Sequence, residues 1–363
     1  TEIYTLSLHD ALPILIREEN IYVGVGEYVF HHLTGVWRQD ACNAAQIGCY
    51  DVSGGRLTPD PLAIVGIPLS FVAPLRVGHP VAGLSSVAGR RLGLGSDVAV
   101  VGPYMDHEAG FMSAAGLSDR PMQCSLGTAW VGNFVLPKPA RWSSPIQLVM
   151  PSPVDGGRLV VQPLLTGNVS WDWGLRWLVH ADRRRAMAGA AAVFGEAMLP
   201  PDGLVCVPWL TQGNPMLEGT VGSGDFLGVG PTTSRADMLR ALAAGMCYEF
   251  RRVFASVGEG DVVDGLVLGG GLSKVPSIGR MFAALFWPLS VMAIQQEDLG
   301  GARGSVRPLV ARASAARARL IRPPDDTMRY RIARGLELYV KTFDRLHDTR
   351  SLGRPITFRK ENR

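Results

Sequence analysis

The stretch VAVVGPYMDHEAGFMSAAG, Val98–Gly116, followed after a short polar gap by QCSLGTAWVGNFVLP, Gln123–Pro137, decides how this chain is read. Four consecutive apolar residues without alternation predict a strand over Asp97–Val101, covered on both faces and ending at Gly102. Asp106 follows at the mouth of a helix of small residues. Two further strands are predicted at Met122–Leu126 and Trp130–Leu136, joined through Gly127-Thr128.

Outward from that stretch, composition sets the bounds. A chain of 363 residues holds about two ordinary domains. With 47% apolar and 19% charged residues it has material for a sizeable core, which excludes global disorder. The net charge of +4 is small, and neither Arg183–Arg185 nor the arginines around Arg312–Arg322 are interleaved with aromatics, so nucleic acid is not an expected partner. The five cysteines, Cys42, Cys49, Cys124, Cys206 and Cys247, are widely spaced without a C-x-x-C. That argues against a disulfide framework or a structural zinc site and for a reducing, cytoplasmic compartment. Apolar runs stop short of the roughly 18 residues that span a bilayer, so no membrane role is expected. Asn168-Val169-Ser170 is a formal glycosylation triplet without a secretory signal to give it meaning.

Along the chain, Glu27–Gly35 reads as an amphipathic helix stopped by glycine. Asp40–Asp51, with alternating small and polar residues, reads as the irregular wall of a cleft. A short helix is predicted over Pro59–Val65, closed by Gly66 and Pro68, then an extended segment over Val72–Gly83. The polar stretch Leu117–Met122 marks a domain boundary. Beyond it come a strand at Leu159–Leu165, helix from Trp171 through Ala197, and a strand at Leu204–Val207. Thr233-Ser234 caps a helix whose Leu239, Leu242, Met246, Phe250 and Val253 share one face. A strand at Gly265–Leu268 ends in Gly269-Gly270-Gly271 and feeds a helix over Pro276–Phe286. Helices around Arg307–Ala318 and Met328–Leu346 complete an alternating α/β pattern.

Three places carry chemistry. Asp106 can take a proton from a hydroxyl or hold that hydroxyl for attack. From spacing alone, an N-cap that only satisfies backbone amides is the favoured reading. Gly127-Thr128 can approach a phosphate closely and donate to it, or be an ordinary hairpin turn. Gly269–Gly271 at a strand end before a helix can accept a nucleotide, although neither G-x-G-x-x-G nor a Walker A motif is present. His107 and Glu108 point away from Asp106 if the segment is helical, so a triad of the three is not expected. A carboxylate beside a bound substrate, close to a Gly-Thr phosphate turn, suits phosphoryl transfer onto a hydroxyl.

Taken in order, these pieces resemble the FGGY family of carbohydrate kinases, which includes xylulokinase, gluconokinase and glycerol kinase, within the actin/Hsp70-like superfamily. EYVFHHLTG (Glu27–Gly35) resembles the family's D-Y-L-x-x-x-L-T-G, and DACNAAQIGCYD (Asp40–Asp51) its T-D-x-S-N-A-S-x-T-x-L-x-D. VVGPYMDHEAG (Val100–Gly110) resembles the G-G-H-D-x-x-A segment that carries the catalytic aspartate. SLGTA (Ser125–Ala129) resembles the second phosphate motif S-x-G-T-[ST], and GGGLSK (Gly269–Lys274) the adenosine motif G-G-G-x-x-S. Gly228 with the helix over Arg235–Val257 resembles a further family region. The match covers about residues 20 to 345.

The resemblance implies an α/β, actin/Hsp70-like (ribonuclease H-like) two-domain ATPase fold whose first domain is incomplete. On it, 1–15 is a non-native, adapter-like segment, 16–117 the remnant of a sugar-binding domain, and 118–363 a nucleotide-binding domain. Asp106 becomes the catalytic base, Gly127 and Thr128 contacts for the ATP phosphates, and Gly270, Gly271 and Ser273 adenine-side contacts. Asp40 and Asn43 only shape the cleft. ATP and Mg2+ are the implied cofactors, no protein metal ligand is assigned, the partner is a small sugar or polyol, and a homodimer is left open.

Departures from the pattern matter. The opening D-x-G-T-[ST] phosphate hairpin does not occur, which implies a protein beginning further upstream and an isolated chain that is inactive and poorly soluble. PWLTQGNP (Pro208–Pro215) replaces P-[YF]-x-x-G-E-R-x-P, Ala129 stands where a hydroxyl residue is common, and Arg303, Arg307 and Arg312 stand where the family tends toward a small-residue helix, E-x-x-A-x-G-A-A. They leave open a non-catalytic sugar- or nucleotide-binding or regulatory protein on the same scaffold. A nicotinamide-dependent oxidoreductase would need an acidic ribose ligand near Glu297-Asp298 and an early Rossmann fingerprint, which is missing.

Overall fold

The computed structural model describes residues 21–64, 66–75, 81–127, 129–136, 147–154, 157–164, 166–179, 183–210, 224–255, 262–295, 300–306 and 317–346. Two compact units emerge, Thr1–Ala109 with Ser305–Ala311 and Gly110–Gly304 with Arg312–Arg363. The division falls inside two helices, between Ala109 and Gly110 and between Gly304 and Ser305.

The first unit is built of short pieces. Helix α1 (Val25–Thr34) ends at Gly35, whose left-handed φ of 78° lets its N–H return to the carbonyl of His31. Helix α2 (Ala41–Gln46) follows Asp40, and strands β1 (Tyr50–Asp51) and β2 (Arg56–Leu57) form a hairpin. The Asp40–Asp51 segment is thus ordered rather than irregular, because the Asp40 carboxylate accepts from the Asn43 N–H and starts a helical turn. Helix α3 (Asp60–Ala63) lies within the expected Pro59–Val65 span. Strand β3 (Val81–Gly83) pairs antiparallel with β4 (Ala99–Val101) in a two-stranded sheet. Helix α4 (Ser86–Leu92) lies between them in sequence, capped by the Ser85 hydroxyl. The expectation of an interior strand before Gly102 is therefore corrected. β4 is real, but among the described residues it pairs with β3 alone, and it is half-buried to exposed. Helix α5 (Asp106–Ala114) follows it.

The second unit carries a seven-stranded sheet in the order β13-β12-β11-β5-β6-β8-β7. Its strands are β5 (Pro121–Leu126), β6 (Trp130–Leu136), β7 (Leu148–Pro151), β8 (Arg158–Pro163), β11 (Gly265–Gly269), β12 (Ser290–Ile294) and β13 (Ala318–Leu320). β5, β11 and β12 run parallel, and the remaining pairs are antiparallel. A separate pair, β9 (Val205–Val207) and β10 (Asp225–Leu227), is antiparallel. Ala318, expected in a helix, opens β13 instead, because pairing with Ile294 of β12 outweighs the helical preference of an Ala/Arg-rich run. Arg307 and Arg312 lie outside the described residues.

Helices α6 (Asn168–Gly174), α7 (Arg183–Glu196), α8 (Arg235–Val253), α9 (Pro276–Leu285) and α11 (Asp326–Leu346) belong to this unit, as does α10 (Gly300–Val306) up to Gly304. α8 starts at a capping box in which Ser234 and Asp237 satisfy each other's backbone N–H. Its apolar face enters a core with Trp130, Phe134, Phe254 and Phe282. Gly245 lies so close to the carbonyl of Cys206 in β9 that a Cβ would collide with it, which fixes glycine there.

Glu249 of α8 is fully buried and satisfied. Its oxygens accept from Arg252 Nε and Nη2 at 2.7 Å each, and from the Tyr339 hydroxyl of α11 at 2.9 Å. The Arg252 guanidinium also lies 3.9 Å from the centre of the Phe343 ring. This network ties the C-terminal helix to the core. Tyr339→Phe leaves the carboxylate short of one donor and is expected to cost about 1.5–3 kcal/mol in a urea unfolding curve.

Candidate functional site

In the second unit the parallel register of β5 and β11 sets Ser125 opposite Gly269, so both strands end at one level. Leu126-Gly127 leaves one strand and Gly270-Gly271 the other. Gly270 has φ 92°, and a Cβ on it would collide with the backbone of Leu126. Only glycine lets the two strand ends come this close. Ser273 is buried, and its N–H closes the turn onto the carbonyl of Gly270 at 3.0 Å. Gly127, Gly270, Gly271 and Ser273 therefore gather at one end of the sheet, while Thr128 lies outside the described residues.

One residue at this place was not foreseen. The Asn168 N–H donates to the carbonyl of Gly127 at 3.0 Å, and its Nδ2 is the atom a Cβ on Gly271 would meet, at 3.7 Å. Its Oδ1 is buried with no hydrogen-bond partner. The turn that carries Asn168 is fixed by Thr166 and Ser170, whose hydroxyls reach the carbonyl of Pro208 at 2.8 and 3.0 Å. An orphaned side-chain oxygen beside bare glycine backbone is what a bound polar ligand would satisfy. In sequence, Asn168 shows only as part of the glycosylation triplet. The signal that could have found it is its place just after a strand and a glycine.

In the first unit, Asp106 opens α5 with an exposed side chain, and its Oδ1 accepts from the His107 N–H at 2.8 Å. Two residues on, Glu108 is buried. The two side chains thus part, as helical positions two residues apart dictate. Glu108 joins Asp40 and Cys42, and one ligand atom of each lies within 4.8 Å of the others. Asp40 also holds Asn43, through the backbone N–H at 2.9 Å and Nδ2 at 3.0 Å.

Burial governs the chemistry of this group. It pushes the Glu108 carboxyl up to about 8, helped by the charge of Asp40 and opposed by hydrogen bonds from Cys42 and Met105. Asp40 rises to about 6, again through burial first, with Glu27 raising it further and the Asn43 and Cys42 amides and Arg38 holding it down. The Cys42 thiol is pushed up by burial and then by both carboxylates, and the Tyr104 phenol by burial and the same two charges. All five cysteines are buried thiols outside any disulfide.

No protein-family model matches the chain. Solved structures do. Xylulose kinase from Rhodospirillum rubrum aligns with a TM-score of 0.74 at 22% identity, over 90% of this chain and 68% of that one. Gluconate kinase from Lactobacillus acidophilus gives 0.75 at 17%, over 92% and 69%. Plasmodium falciparum glycerol kinase with ADP gives 0.70 at 13%, over 90% and 66%. The fold is that of the carbohydrate kinases, of actin/Hsp70-like type. Among the described residues no helix is long and apolar enough to cross a membrane.

Two outcomes follow from this geometry. Gly270→Ala forces both a left-handed backbone and a clash, and should lower stability by about 1–3 kcal/mol, whereas Gly271→Ala should stay within about 1 kcal/mol of the parent in the same denaturant titration. Glu108 and Asp40 have folded pKa values raised above their ordinary 4.5 and 3.8, so their contribution to stability is complete below about pH 4 and is lost as pH rises to about 8. In chelator-containing buffer, Glu108→Gln should remove most of the part of that loss above pH 6. Calorimetric Tm values measured from pH 5 to 8 check it.

Proposed function

We propose that this chain belongs to a carbohydrate kinase that transfers the γ-phosphoryl group of ATP to a hydroxyl of a sugar, sugar acid or polyol. The observation that carries the reading is the glycine-lined end of β5 and β11, where bare backbone and the orphaned Asn168 Oδ1 sit together on a sugar-kinase fold. The ordered motifs from Glu27 to Lys274 support it further.

The residues fit a nucleotide. Gly127, Gly270 and Gly271 offer backbone approachable without side-chain obstruction, with Thr128 beside Gly127 in sequence, and Ser273 secures the turn. ATP supplies the phosphoryl group, and the Mg2+ that accompanies it neutralises phosphate charge. Asn168 is the added contact, with its amide free to orient a polar group of the nucleotide.

Asp106 is the proposed base. Its exposed carboxylate accepts the proton of the substrate hydroxyl, or holds that hydroxyl in line. The oxygen–phosphorus bond forms as the bond from the γ-phosphorus to the bridging oxygen breaks, leaving ADP. Exposure suits this role, since substrate must reach the group, and sets Asp106 apart from the buried Glu108.

The test, made on the full-length protein, is sugar-dependent ADP release across pentuloses, hexuloses, aldonic acids and polyols. Asp106→Asn should lower kcat about 100- to 10,000-fold while changing KM for the sugar only slightly. Near-parental turnover by Asp106→Asn overturns the assignment. Sugar or nucleotide binding without turnover in the parent favours a non-catalytic role for the scaffold.

A further inference from the structure

Asp40 and Cys42 at the start of α2 and Glu108 in the first turn of α5 form a buried group that phosphoryl transfer does not use. We propose that this group is a binding site for a thiophilic divalent cation of the zinc class, with Asp40, Cys42 and Glu108 as its three protein ligands.

Three observations carry it. The first is convergence. Two carboxylate oxygens and a thiol sulfur from two separate segments lie within 4.8 Å of one another, and all three residues are buried. Zinc bonds oxygen at about 2.0–2.2 Å and sulfur at about 2.3 Å, so small side-chain rotations bring the three atoms onto one ion, and water completes the tetrahedron. The second is an unmet oxygen. Glu108 is 5% exposed, yet its Oε2 has no hydrogen-bond partner. A buried carboxylate oxygen left bare costs about 1–3 kcal/mol or more, and a cation is the ligand that would meet it. The third is charge. Glu27, also buried, adds to the negative field on Asp40, and Arg38 opposes it. A divalent ion at this point answers an excess of negative groups.

The donor set selects the ion. Mg2+ and Ca2+ take oxygen ligands, whereas a thiolate beside two carboxylates favours zinc and its close relatives. Asp40 is already oriented by Asn43 through two hydrogen bonds, the kind of outer support that ligating carboxylates use. Bound there, the ion would join α2 to the turn of α5 that begins with Asp106.

The experiment uses the whole chain, stripped with chelator and titrated with Zn2+ and with Co2+ as a spectroscopic probe. One equivalent should bind, Co2+ should give thiolate-to-cobalt absorption in the near ultraviolet, and Tm should rise. Mg2+ at the same concentration should do none of these. Glu108→Gln and Cys42→Ser should each weaken Co2+ binding at least about 10-fold. In chelator Glu108→Gln should be no less stable than the parent, which separates lost binding from misfolding. The proposal fails if no thiolate–cobalt band appears, if both variants bind as the parent does, or if Zn2+ leaves the Tm of the parent unchanged while Glu108→Gln raises it. That last result would mean that the carboxyl pair holds a proton instead. The readouts are binding and stability, so loss of kinase activity does not bear on them.

Discussion

The parallel pairing of β5 with β11 is the constraint from which the candidate nucleotide site follows. Because Gly265 through Gly269 run in step with Pro121 through Ser125, the two chains leave the sheet side by side. Such closeness is sterically possible only without a Cβ at Gly270, and that residue also takes a left-handed φ. The interior strands supply the rigidity. Met122, Cys124, Leu126, Leu266 and Leu268 are buried in one core with α8, so the strand ends have little freedom to drift.

Much of this was legible in the chain because it is local. The strand segments on either side of Gly127-Thr128 marked β5 and β6, the apolar run Leu266–Leu268 marked β11, Ser234 marked the start of α8, and the three glycines after Leu268 announced a strand end with exposed backbone. What was not legible depends on partners. The run before Gly102 has the composition of an interior strand, yet among the described residues it pairs with β3 alone, and composition does not reveal how many neighbours a strand finds. Ala318 illustrates the reverse, since it joins a sheet because β12 offers an edge. Asp40–Gln46 hid a helix behind small and polar residues, and the decisive bond, from the Asn43 N–H to the Asp40 carboxylate, spans only three residues. Asn168 and Glu108 were missed for a related reason. Each acquires meaning from an atom left without a partner in three dimensions, a property no spacing rule encodes.

Two buried glutamates make that point sharper. Glu249 and Glu108 both sit in helices and are both withdrawn from water. Glu249 meets Arg252 twice and Tyr339 once, so its charge is answered by protein alone, and its role is to hold α11 against the core. Glu108 has Asp40 and Cys42 for neighbours, two groups that compete with it for the same protons, and an oxygen that nothing meets. A fold can keep the first arrangement for stability, since removing either partner strands the other. The second arrangement is a net cost to the folded state unless something outside the chain relieves it. An arginine could have stood where Cys42 stands and closed the network as it is closed around Glu249. The sequence instead places there a side chain that bonds soft cations and lowers no carboxyl pKa by charge. The difference between the two sites is that Glu249 is satisfied by side chains of the same chain, whereas one oxygen of Glu108 is not.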